Sequence, residues 1–176
     1  MRSPAHQNPT STTMNENVQK AMNAQIGLEL ESAYAYLAMS AKLECQNFEG
    51  FAKWMRMQAQ EELAHAMRLF DYMLERGCTV ELPAIGAPSI NARNPLQVFE
   101  LSLMHEQKVT AAIHALYELA RAEQDYATEL QMQWFITEQV EEEASVGLAV
   151  EKLRMAGDDK PALIMLDASF GGREEE

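Results

Sequence analysis

The lengths of the connections between helical segments most constrain what this chain can fold into. Four stretches carry apolar residues at helical spacing. The first runs from about Asn15 to Glu44, with Ile26, Leu30, Ala33 and Leu37 on its apolar face. The second runs from about Phe48 to Arg76, before Gly77, a residue suited to the left-handed backbone past a helix end. The third starts at Pro95, with Asn94 as N-cap, and carries Phe99, Leu103, Val109, Ile113 and Leu116 towards about Gln124. The fourth runs from about Tyr126 to Met155 and stops at Gly157. A short fifth pattern, PALIMLDASF (161–170), opens with a helix-compatible proline. Helices of nearly thirty residues span roughly 40 Å. Three joints are short and make neighbours antiparallel. The link Gly77–Asn94, about eighteen residues with Pro83, Gly86 and Pro88, can cross the length of a bundle and restart at its far end. The expected fold is all-α: an up-down-down-up four-helix bundle with one long crossover and a short fifth C-terminal helix.

The chain of 176 residues suits one domain, and 47% apolar content makes it globular rather than disordered. Residues 1–13, polar and without periodicity, read as a flexible tail; 14–170 form the bundle domain and 171–176 a second, solvated tail. A formal net charge of −13 disfavours nucleic acid and anionic membrane as partners and favours cations. Cys45 and Cys78 form neither a CxxC nor a zinc pattern. Two thiols in a reducing compartment are the expectation, with a disulfide as the alternative. No transmembrane run and no secretory apolar region is present, so the expected location is cytoplasmic.

Each helix places acid on its apolar face. Glu29 follows Ile26 by three residues and precedes Ala33 by four; Tyr36 lies two turns on. In AQEELAHAMRLFDYM (59–73), Ala59, Glu62, Ala66, Leu69 and Met73 form a stripe, with His65 beside it. Glu106 sits between Leu103 and Val109, and ITEQVEEEA (136–144) offers Glu138, Gln139, Glu141, Glu142 and Glu143. Taken singly, such a glutamate usually reaches solvent, and a lone histidine is usually a satisfied core or surface residue. Convergence argues otherwise, because mutual burial of four carboxylates is prohibitive without counter-charge. Two divalent metal ions would balance Glu29, Glu62, Glu106 and Glu142. Carboxylates with one imidazole and no thiolate suit iron(II) or manganese(II).

These residues carry a family resemblance. LELESAYAYLAMS (28–40), FEGFAKWMRMQAQEELAHAMRLFDYM (48–73), HEQKVTAAIHALYELA (105–120) and QWFITEQVEEE (133–143) are similar to the prokaryotic non-haem ferritins, part of the ferritin-like di-iron family. The resemblance implies a first iron held by Glu29, Glu62 and His65, with Glu62 bridging to a second held by Glu106 and Glu142. It implies Gln139 near the second iron and Tyr36 as an electron donor beside the centre. It also implies a third iron site from Glu61, Glu138, Glu141 and Glu142. It implies a ferroxidase, oxidising Fe(II) with O₂ or peroxide, and storage of ferric mineral inside a homo-oligomeric cage of twenty-four subunits. Glu123, Asp125 and Glu129, near the third joint, are candidate channel acids.

Relatives are separated by what stands at particular positions. Bacterioferritins carry a second Glu-x-x-His on the fourth helix, where this chain has Ser145 three residues after Glu142. They also have a haem-ligating Met directly after the second-helix Glu, where Leu63 stands here, so no haem is expected. The CxxC module of rubrerythrins is absent, and the tail lacks the basic run of the DNA-protecting relatives. Competing readings are a di-iron oxidase of an organic substrate, a ferritin-fold subunit with a mainly structural or mineral-nucleating role, and a metal-free helical interaction protein.

Overall fold

A computed structural model describes residues 14–172 and shows five α-helices, with no strand among them. They are α1 (Glu16–Glu44), α2 (Glu49–Glu75), α3 (Pro95–Ala122), α4 (Tyr126–Ala156) and α5 (Lys160–Gly171). No helix is long and apolar enough to cross a membrane among the described residues. The expected first tail, 1–13, and residues 173–176 of the expected second, 171–176, lie outside the description; α5 takes in Gly171, with Gly172 as its C-cap.

Local side chains start most of these helices. Asn15 accepts from the Asn17 N–H at 2.7 Å, Asn94 from Gln97 at 2.9 Å, Asp125 from Thr128 at 3.2 Å and Asp159 from Ala162 at 3.2 Å. Each satisfies a first-turn N–H that no carbonyl of its own helix reaches. α2 is different. Phe48 supplies no capping side chain, and Asp167 Oδ1 of α5 accepts the Phe51 N–H at 2.8 Å instead. The tight turns after α1 and α3 place Asn47 (φ 62°) and Gln124 (φ 57°) in the left-handed region, which ends α3 two residues before Gln124.

α1 packs along α2 and α3 along α4, and the segment between Glu75 and Pro95 carries the chain from one hairpin to the other. The crossover lies against α1. A Cβ at Gly27 would sit 2.3 Å from Pro83 Cγ, so only glycine permits that approach.

Two apolar clusters fill the bundle. One gathers Tyr36, Leu43, Phe51, Trp54, Met55, Phe99, Val150 and Leu153; the other gathers Val18, Met22, Ile26, Leu69, Met73, Ile113, Met132 and Phe135. Burying such side chains stabilises a fold by about 1.5–3 kcal/mol each. The buried polar residues Glu29, Gln58, Glu62, His65, Glu106 and Gln139 belong to neither cluster. The inward face of α1 is also rotated from the expected one. Leu30 and Ala33 are half-buried and Leu37 is 48% exposed, while Gln25, Glu29, Ser32, Tyr36 and Ser40 are buried. Polar side chains on the inner face displaced the apolar pattern from its usual meaning.

α5 closes one end. Phe170 packs edge-on to Phe51 at 5.1 Å and Phe99 at 5.7 Å between ring centroids. Gly50 permits this docking, since a Cβ there would fall 1.8 Å from the Asp167 carbonyl oxygen. Gly50→Ala is therefore expected to lift α5 from α2, uncap Phe51 and cost about 1–3 kcal/mol. Thermal unfolding and protease cleavage at the α4–α5 joint would register it, and unchanged values in both would refute this docking role.

Candidate metal centre

Helical periodicity brings the acids inward. On α2, Gln58, Glu62 and His65 lie at i, i+4 and i+7 and are all buried. Glu29 and Tyr36 stand two turns apart on α1, Glu106 follows Ser102 by four on α3, and Gln139 follows Phe135 by four on α4.

Glu29, Glu62 and His65 each offer one ligand atom, and these atoms lie within 4.8 Å of one another. His65 Nδ1 is 4.0 Å from Glu62 Oε2. Glu29 Oε1 accepts from Gln25 Nε2 at 2.8 Å. Glu29 Oε2 and both oxygens of Glu62 are buried and receive no N–H or hydroxyl from the rest of the fold; the two carboxyl groups face each other, and Glu62 hydrogen-bonds to Glu29 when it carries a proton. Such groups are costly to leave in a protein interior. A cation answers the cost, and this set of carboxylates with one imidazole fits a divalent transition metal.

Glu106, Gln139 and Glu142, the other expected ligands, stand outside this triad and are engaged in hydrogen bonds of their own. Glu106 Oε1 accepts from the Tyr36 hydroxyl, which also meets Ser102 Oγ at 2.9 Å. Glu106 Oε2 accepts from Gln139 Nε2 at 3.2 Å. Glu142, half-buried, accepts from Gln58 Nε2 at 2.7 Å through Oε2, and its charge reaches Glu62.

The electrostatics follow from burial. Burial, then the carboxylates of Glu106 and Glu29, push Glu62 well above the usual carboxylate range. Burial also raises Glu29, against hydrogen bonds with Glu62 and then Gln25, and Glu106, against those from Tyr36 and Gln139. Without a cation, these groups hold their protons to higher pH than ordinary carboxyls do, and a bound ion would displace those protons. His65 moves the other way: burial, then the nearby Arg68, lower it to about 4. It is a neutral imidazole with a free lone pair at neutral pH. Trp134 and Phe135 hold its ring edge-on at 5.6 and 5.8 Å, and the Arg68 guanidinium covers Trp134 at 3.8 Å.

The remaining acids are less enclosed. Glu61 and Glu138 are half-buried; Glu138 is raised by burial, then by Glu141 and Glu61, against the nearby Arg68. Glu141 itself is exposed. The candidate channel acids are engaged locally: Glu123 accepts from Asn15 at 2.7 Å, Asp125 pairs with Arg76 at 3.0 Å and Glu129 accepts from Tyr117 at 3.1 Å.

Several supporting residues were not singled out from the sequence. Gln25 and Gln58 stand one helical turn before Glu29 and Glu62, a spacing that could have marked them. Ser102 and Thr110 act across helices, and no local signal points to them; Glu143 was named among the acids of α4, but not its contact with Thr110.

Comparison with known proteins agrees with this architecture. A family model described as a ferritin-like domain matches residues 19–156. The bacterial non-heme ferritin of Staphylococcus aureus (strain MRSA252) is 38% identical over 160 residues, 91% of this chain and 96% of that protein. That of Bacteroides fragilis (strain 638R) is 39% identical over 160 residues, covering 91% and 99%. An open pore ferritin from the archaeon Archaeoglobus fulgidus superimposes with a TM-score of 0.91 at 45% identity, over 94% of this chain and all of that one. With its crossover bundle and buried acidic centre, the chain belongs to the ferritin family.

Proposed function

We propose that this protein stores iron, and that it oxidises Fe²⁺ with O₂ or peroxide at a two-iron centre within each subunit. The observation that carries the reading is the triad of Glu29, Glu62 and His65, two buried carboxyl groups facing each other beside a neutral imidazole with no cationic side chain among them. Ferrous iron is the substrate. Glu29, Glu62 and His65 hold one ion; Glu62 is shared with a second, held by Glu106 and Glu142, with Gln139 beside it. Each ferrous ion gives one electron. O₂ accepts two electrons and two protons and leaves as hydrogen peroxide; peroxide treated the same way leaves as two waters. The protons that Glu29, Glu62 and Glu106 retain in the empty site depart as iron enters. Where only one ferrous ion is present, Tyr36, whose hydroxyl donates to Glu106, would supply the second of the two electrons that O₂ takes. Ferric product accumulates as mineral in the interior of a cage of twenty-four copies, in the cytoplasm, and no haem takes part.

Stopped-flow absorbance after adding two Fe²⁺ per chain to metal-free protein in air tests the activity, and light scattering on the same sample tests the cage. A fast ferric rise on a cage-sized particle is expected. A rate no greater than that of buffer would reject the ferroxidase and leave a structural or mineral-nucleating subunit.

Glu61, Glu138, Glu141 and Glu142 form a third iron position in this reading. Changing Glu138 and Glu141 together to glutamine should lower iron bound per chain, or slow repeated turnover, while sparing the first rapid phase. Unchanged stoichiometry and turnover would leave the pair as surface charges.

A further inference from the structure

Gln139 lies at the end of a hydrogen-bonded relay with a fixed direction. Its Nε2 is 3.2 Å from Glu106 Oε2, 3.3 Å from the Glu106 carbonyl oxygen and 3.1 Å from Thr110 Oγ1. The Glu106 backbone carbonyl can only accept, so the amide must turn its NH₂ towards it and towards the carboxyl group beside it. Thr110 Oγ1 then accepts from that NH₂, and its single proton goes to Glu143 Oε1 at 2.6 Å. Glu143 therefore orients the Thr110 hydroxyl, Thr110 orients the Gln139 amide, and Gln139 steadies Glu106 from the side opposite Tyr36. Thr110 and Glu143 are both half-buried, on α3 and α4.

We propose that Thr110 and Glu143 are positioning residues for the second metal ion, acting through Gln139 on the Glu106 carboxylate. The proposal rests on the two-metal reading above. If the Thr110 hydroxyl is lost, the amide has one acceptor fewer and can reorient. If Glu143 is lost, the Thr110 proton is free to turn towards Gln139, where it opposes the NH₂ that Glu106 needs. Either change loosens Glu106 without removing a ligand. Loss of an outer partner of this kind weakens metal binding by about 10–100-fold.

The test is a Co²⁺ titration of the metal-free full chain, followed by visible absorption, so that no oxidation is needed. The wild-type chain is expected to take two ions with distinct affinities. Thr110→Val, which keeps the side-chain shape, should leave the first affinity unchanged and weaken the second by about tenfold or more. Thr110→Ser keeps the hydroxyl and should restore wild-type behaviour, as should Glu143→Gln, which keeps an acceptor for it. Glu143→Ala should behave like Thr110→Val. A Thr110→Val chain with both affinities intact overturns the positioning role alone. So does a Thr110→Ser chain as weak as the valine variant, since packing would then be the cause. A wild-type chain that takes no second ion overturns the two-metal reading and this proposal with it.

Discussion

Glu62→Ala is expected to abolish the rapid phase of Fe²⁺ oxidation while leaving the bundle folded. Glu62 is the residue the two metal positions share in the proposed centre. Its loss should exceed the about 10–100-fold cost of losing a supporting residue. Stability should move the other way when the replacement fills the space. In the empty protein Glu62 is fully buried, its only hydrogen-bond partner is the Glu29 carboxyl, and neighbouring carboxylates oppose its charge. Removing such a group relieves a penalty of about 1–3 kcal/mol. Glu62→Leu should therefore unfold at a higher temperature than wild type in the presence of a chelator, and oxidise no iron rapidly. A variant that keeps fast oxidation would reject the shared-ligand role. One that loses both activity and chelated stability would assign Glu62 a structural role instead.

Metal loading should stabilise the protein, and the gain should grow as pH rises above the usual carboxylate range. Burial raises the folded-state values of Glu29, Glu62 and Glu106 above those of an unfolded chain. Their contribution to the stability of the empty protein is fully present below the usual carboxylate range. It is lost as pH climbs through the raised folded values, because the unfolded chain gives up those protons more readily. His65 has the opposite sign. Lowered to about 4, it contributes stability above the ordinary histidine value, and that contribution is lost as pH falls from there towards 4. Above the ordinary histidine value its contribution is flat, so the carboxylates alone set the slope. A divalent ion replaces their protons. At one hundred times its dissociation constant, an ion bound at one site adds about 2.7 kcal/mol. Thermal unfolding of chelated and Co²⁺-loaded protein between pH 5.5 and 8, with a pH-stat record of protons released on loading, checks both the gain and its slope. A gain independent of pH, with no proton release, would contradict this account of the site.

The bundle was legible because its signals are local or depend on length. Asn94 with Pro95 marks one helix start, and the segment between Glu75 and Pro95 is long enough for a crossover. The start of α2 was legible only as a position. Its cap, Asp167, lies 116 residues from Phe51 in the chain, and no window along the sequence contains both. On α1 the reading of the inner face failed at Leu37, which is exposed, since Gln25, Glu29 and Ser32 took the inward positions. Much of the candidate site was readable for the same reason that face was not. Acids standing at core spacing are conspicuous, and Glu29, Glu62, His65 and Glu106 are indeed buried. What escaped was what holds them. The Glu143–Thr110–Gln139 relay joins α3 to α4, and its order depends on which atom donates to which.

The most direct test of the central claim is anomalous diffraction at the iron edge from crystals loaded anaerobically with Fe²⁺. Two peaks per chain are predicted, one among Glu29, Glu62 and His65 and one among Glu62, Glu106 and Glu142. A bundle interior free of anomalous density, with iron only on the surface, would contradict it.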